Sequence, residues 1–135
     1  MNPITKAWLE SAKLDLECIQ HIITEEHLTS VVAFHAQQAI EKSFKAVVEE
    51  YKHEIGKTHN LIKLYEIASK YVSIDIDIDL LTTLNDLYID SRYPGNLGLL
   101  PKGKPSIADA QEFYELAKHI YNCIESELMK TNDVE

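Results

Sequence analysis

The sequence predicts an all-α fold, a single-domain up-and-down bundle of about five helices. Apolar residues recur at 3/4 spacing through four long stretches, the breaks between them are short and polar, and one central stretch is apolar over an unusually wide arc. At 135 residues the chain has the length of one domain, residues 1–135, able to bury a core without metal or disulfide support.

The first helix is predicted from about Thr5 to Ile23. Ile4, Trp8, Leu9, Ala12, Leu16, Ile19 and Ile23 form its apolar line, with Thr5 as N-cap. The polar break TEEHLTS, 24–30, is short enough to make the first two helices an antiparallel hairpin, and Thr29 or Ser30 suits the next cap. The second helix, Val31 to Tyr51, turns Ala33, Ala36, Ile40, Phe44, Val47 and Tyr51 to one side. His35, Gln38, Lys42 and Lys45 fall together nearly opposite. That stripe is narrow because Val32, Ala39 and Ala46 border one edge and Phe34 and Val48 the other, so the helix is contacted on most sides.

Gly56 suits a helix C-terminus, and Thr58 or Asn60 caps a short third helix carrying Leu61, Leu64, Tyr65 and Ala68 and ending near Tyr71. SIDIDIDL, 73–80, alternates like a strand. A lone strand in a helical chain leaves its backbone groups unpaired, so it is read as an extended connection with Asp77 or Asp79 capping a fourth helix. That helix carries Leu80, Leu81, Leu84, Leu87 and Tyr88, and stops before Pro94. The loop at 94–105 holds three of the four glycines and three of the four prolines. Ser106 and Asp109 form a capping box with Asp in place of Glu. They open a last helix through Ile107, Ala110, Phe113, Ala117, Ile120, Ile124 and Leu128, with the tail TNDVE expected to fray.

A net charge of −9 argues against a general nucleic-acid or anionic-membrane binder, so any phosphate site must be local. Twelve of the thirteen basic residues are lysine, and the single arginine is Arg92. Cys18 and Cys123 sit in helical patterns without metal spacing and are expected as buried, reduced thiols. No apolar run is long enough to span a bilayer and no signal-peptide core opens the chain, which is expected to be soluble and cytoplasmic. Phosphate-loop, zinc-protease and serine-nucleophile motifs are absent, and no metal or cofactor is implied. Acidic residues lie scattered on predicted helix exteriors, with Glu41 and Lys45 read as an i, i+4 surface pair.

Cationic and imidazole groups occur in three places: His35, Gln38, Lys42 and Lys45; Lys57, Thr58 and His59 at the entrance to the third helix; and Arg92 with Tyr93 at the end of the fourth. Brought together they would form a phosphate pocket, aided by the N–H groups of a helix N-terminus. Taken separately, they are a solvated stripe, a cap and a packed tyrosine.

FHAQQAIEKSFKAVV at 34–48, KTHNL at 57–61, YIDSRYP at 88–94 and WLESAKLDLECI at 8–19 resemble the HEPN domain family (higher eukaryotes and prokaryotes nucleotide-binding) over essentially the whole chain. The resemblance implies a helical bundle, commonly a homodimer, that binds a nucleotide or RNA and works beside a minimal nucleotidyltransferase in a toxin–antitoxin-like pair. With it, the cationic and imidazole groups His35, Gln38, Lys42, Lys45, Lys57, His59, Arg92 and Tyr93 are expected to bind phosphate or nucleotide. One branch of the family comprises metal-independent ribonucleases marked by Arg, four to six residues, then His. After Arg92 those positions are Leu97, Gly98 and Leu99, so the motif is absent and no catalytic residue is assigned. A ribonuclease toxin is the enzyme alternative, and a non-catalytic interaction scaffold docking through the Gly/Pro loop is the third.

Overall fold

The computed structural model describes residues 1–52, 56–91 and 104–134. Five helices carry them: α1 (Pro3–Ile22), α2 (Thr29–Lys52), α3 (Leu61–Ala68), α4 (Ile78–Ser91) and α5 (Ile107–Val134). No strand occurs among the described residues, and none of their helices is long and apolar enough to cross a membrane. The expected Gly/Pro loop lies outside the described residues from 94 to 103, as do Arg92 and Tyr93.

Helix α1 begins two residues before Thr5. Asn2 is the cap, its Oδ1 accepting the Thr5 N–H at 2.8 Å, and Pro3 takes the first helical position, where its missing N–H costs nothing. Thr5 is instead fully buried. A single 3-10 turn, Glu26–Leu28, then reverses the chain into α2. The hairpin is antiparallel: Trp8 lies under Lys45, whereas Asp15, further along α1, meets His35 and Lys42.

Helix α2 is the axis of the bundle, packing on all four other helices, most extensively on α1 and α5. This explains its wide apolar arc. Val32, Ala36, Ala39, Ile40, Phe44, Ala46 and Val47 are all fully buried, and small residues at 36, 39 and 46 let neighbouring helices approach closely. Tyr51 departs from the expected arc, being 37% exposed and stacked on Tyr71 with ring centroids 5.0 Å apart.

Helix α3 stops at Ala68, with turns continuing through Tyr71. Asn60 caps it, accepting from Ile62 and Lys63, while the Leu61 N–H donates to Asn85 Oδ1 of α4 at 2.9 Å. Asn85 is 4% exposed, so its loss strands a buried donor. Asn85→Ala is expected to cost about 1–3 kcal/mol, read from urea denaturation midpoints.

Residues 73–77 form a connection that belongs to no helix or strand, and Asp77 caps α4 by accepting from Asp79 and Leu80. Ser106 and Asp109 close the expected reciprocal box, each bond 3.0 Å. Helix α5 runs on to Val134 instead of fraying from Thr131. Both cysteines are free, as expected, but partly exposed and not buried.

Candidate phosphate-facing cluster between α1, α2 and the α3 entrance

The polar stripe of α2 faces partners. Asp15 of α1 sits in the seam, its side chain 10% exposed, and accepts from two residues of α2. His35 Nδ1 lies 2.9 Å from Oδ1, and Lys42 Nζ lies 2.8 Å from Oδ2. An ionised carboxylate can only accept, so the Asp15–His35 bond places a proton on Nδ1 and leaves Nε2 as the other functional atom of the ring. The edge of Phe34 meets the His35 ring at 5.3 Å.

A second carboxylate organises the other half of the stripe. Glu41 receives Lys45 Nζ at 3.0 Å, Gln37 Nε2 at 3.1 Å and His59 Nδ1 at 3.1 Å, and Gln38 donates in turn to Gln37 Oε1 at 2.7 Å. The Glu41 and Lys45 side chains are 6% and 8% exposed. The reading of this pair as a surface contact is therefore corrected: the i, i+4 spacing is right, but α1 covers it, with Lys45 Nζ 5.4 Å from the centre of the Trp8 ring.

Burial alone would raise the Glu41 pKa, but the hydrogen bonds from Lys45, His59 and Gln37 outweigh it and hold the carboxyl below its ordinary value of 4.5. A carboxylate depressed in the folded state stabilises the protein above its unfolded pKa. That contribution is lost as pH falls through the folded pKa. Thermal stability is accordingly expected to decline as pH drops below about 4.5, and Glu41→Gln is expected to flatten that decline in a series of melts.

Two of the three predicted groups thus converge, since Glu41 joins His59 to the α2 stripe. Lys57 is exposed at the bend before α3, and Arg92 and Tyr93 lie outside the described residues. The α3 N-terminus is not an open anion site, because Asn60 and Asn85 already accept its first three N–H groups. Sequence reasoning missed Asp15 and Glu41, the two acceptors around which the cations are arranged. With both carboxylates ionised and both lysines charged, these four residues sum to zero, so the two imidazoles set the sign of the local field. No group of three or more metal-ligating side chains occurs among the described residues.

Comparison with known proteins agrees with this architecture. The HEPN domain model matches residues 5–127, from the first turn of α1 to near the end of α5. The chain is similar to the crystal structure of TT1696 from Thermus thermophilus, with a TM-score of 0.67 and 25% identity, over 90% of this chain and 96% of that one. No curated protein sequence matches significantly. The family match spans every helix of the bundle and both carboxylate-centred clusters, and the chain belongs to the HEPN domain family.

Proposed function

We propose that this chain is a nucleotide- or RNA-phosphate-binding HEPN module that acts beside a nucleotidyltransferase partner in a toxin–antitoxin-like pair. The observation that supports the binding role is the concentration of two lysines and two imidazoles on one seam of a chain whose net charge is −9. Asp15 and Glu41 fix these groups in place before any ligand arrives, which lowers the ordering cost of binding. Lys42, His35 and His59, with side chains 21%, 24% and 48% exposed, are the members within reach of a ligand, and Lys57 is exposed two residues before His59 in the chain. Lys45 acts from behind as a fixed charge.

Calorimetric titration of the purified chain with ATP, GTP and short single-stranded RNA tests the reading. Binding in the micromolar range that weakens about ten-fold in Lys42→Ala or His59→Ala is the expected result. An absence of heat up to millimolar ligand would overturn it. The module is also proposed to be a homodimer. Leu14, Val31 and Phe34, 65%, 39% and 47% exposed on the two helices that carry the cluster, supply apolar surface for it, and sedimentation velocity reads the outcome.

One observation favours the enzyme alternative, a metal-independent ribonuclease. Asp15 and His35 form a carboxylate–imidazole pair with Lys42 on the same carboxylate, so a proton acceptor and a cation for a charged phosphorane lie side by side. That reading requires cleavage of single-stranded RNA in EDTA, abolished by His35→Ala. Intact RNA across a substrate panel would remove it.

A further inference from the structure

The first five residues of the alternating segment SIDIDIDL, 73–77, keep an alternation of burial without becoming a strand. Ile74 is buried and Ile76 partly buried, while Asp75 and Asp77 are exposed. The segment is held to α5 by His119, whose Nε2–H donates to the Asp75 carbonyl at 2.9 Å. Between them opens a cleft of about 670 Å³. Ile76, Leu80 and Leu116 give it an apolar floor, and Asp75, Asp77, Glu112 and Glu115 stand along its sides.

Three properties define what fits there. The first is charge: of these four carboxylates only Glu115 has a cationic partner among the described residues, Lys118 at 3.4 Å, and that exposed pair is worth little. Shape is the second, because the cleft is an open trough beside the connection that carries Asp75, Ile76 and Asp77, and not an enclosed pocket for a small molecule. The third is backbone chemistry. Among the described residues, the N–H groups of Asp75, Ile76 and Asp77, the part of the segment that lines the trough, donate to no protein acceptor, so main-chain donors remain for a bound chain.

We propose that this trough docks an extended cationic segment of a partner protein, with an apolar side chain over Ile76, Leu80 and Leu116 and lysine or arginine on either side. A second copy pairing through this same face is a poor occupant, since it would set carboxylates against carboxylates. Nucleic acid and anionic lipid are repelled by the same charge. The inference is independent of the phosphate-binding reading, whose residues lie on α2 and the α3 entrance.

The test uses the full chain and a fluorescein-labelled heptapeptide alternating lysine with leucine and valine. Anisotropy is expected to show binding at low salt, with NMR amide shifts confined to residues 74–80 and 111–119. The variant D75N/D77N/E112Q/E115Q should weaken binding at least ten-fold; Asn at position 77 can still cap α4. A control variant neutralising Glu10, Glu17, Glu66 and Glu127 to Gln should stay within two-fold. Against the wild-type chain, replacing the peptide's lysines by glutamate should remove binding, and replacing its central apolar residue by serine should weaken it several-fold. Equal loss in the two protein variants, shifts scattered over other helices, or no binding of the cationic peptide would each overturn the proposal.

Discussion

Glu41→Leu is expected to lower the free energy of unfolding by about 3–5 kcal/mol, the cost of leaving a buried charge without its partner. Lys45 is 8% exposed on its side chain and packs beneath Trp8, so its ammonium cannot reach water without moving α1. The same substitution takes the acceptor from the Gln37 amide, which is fully buried. Lys45→Met alone leaves the carboxylate with Gln37 and His59 as donors and should cost less than Glu41→Leu. The double variant Glu41→Leu/Lys45→Met should recover the part of the loss that comes from the stranded charge, while the buried Gln37 amide still lacks its acceptor. Urea denaturation of the four proteins gives the coupling energy directly. Additive single effects, or a Glu41→Leu loss under about 1 kcal/mol, would show that the pair is solvated after all.

Much of the bundle was legible because helix periodicity and capping chemistry are local. Asn60, Asp77 and the Ser106–Asp109 box cap the helices that their sequence context indicates, and the unpaired state of SIDIDIDL follows from the lack of any partner strand. The start of α1 was misplaced at Thr5: proline at the first helical position after asparagine is the stronger signal, and the structure follows it. Asp15 and Glu41 were not read correctly, although each left a trace. Asp15 falls on the arc of Trp8, Ala12 and Ile19, a poor place for a wet carboxylate. Glu41 lies between Val48, 3% exposed, and the Lys45 face. A charge at an apolar position states only that something compensates it. What compensates it here is a tertiary contact: α1 crossing α2 at Asp15, and the α3 entrance bringing in His59. A single-helix pattern contains the i, i+4 spacing of Glu41 and Lys45 but neither the burial of that pair nor the contacts of Asp15 and His59 across helices, which is why the pair was legible and its setting was not.

Asp15→Asn separates the two functional readings because it moves them in opposite directions. The carboxylate neutralises Lys42 and faces His35, so removing its charge raises the local positive potential. A unit charge about 6 Å from a phosphate contributes on the order of 3 kcal/mol at an effective dielectric of 20, reduced by roughly half or more by salt. Nucleotide or RNA binding is therefore expected to tighten about ten-fold, measured by calorimetry at fixed ionic strength. The fold should survive, since asparagine still offers one acceptor and Lys42, 21% exposed, can turn to water, for a loss of about 1–2 kcal/mol. Catalysis through His35 would respond the other way. An amide presents N–H as readily as oxygen to Nδ1, which destroys the tautomer that leaves Nε2 as the base, and EDTA-resistant cleavage would fall by orders of magnitude. Tighter binding without any cleavage in either protein identifies a binding module. Cleavage in the wild-type chain that disappears in the variant identifies a ribonuclease whose base is held by Asp15. Unchanged affinity, with no cleavage in either protein, would place the phosphate site away from the α1–α2 seam altogether.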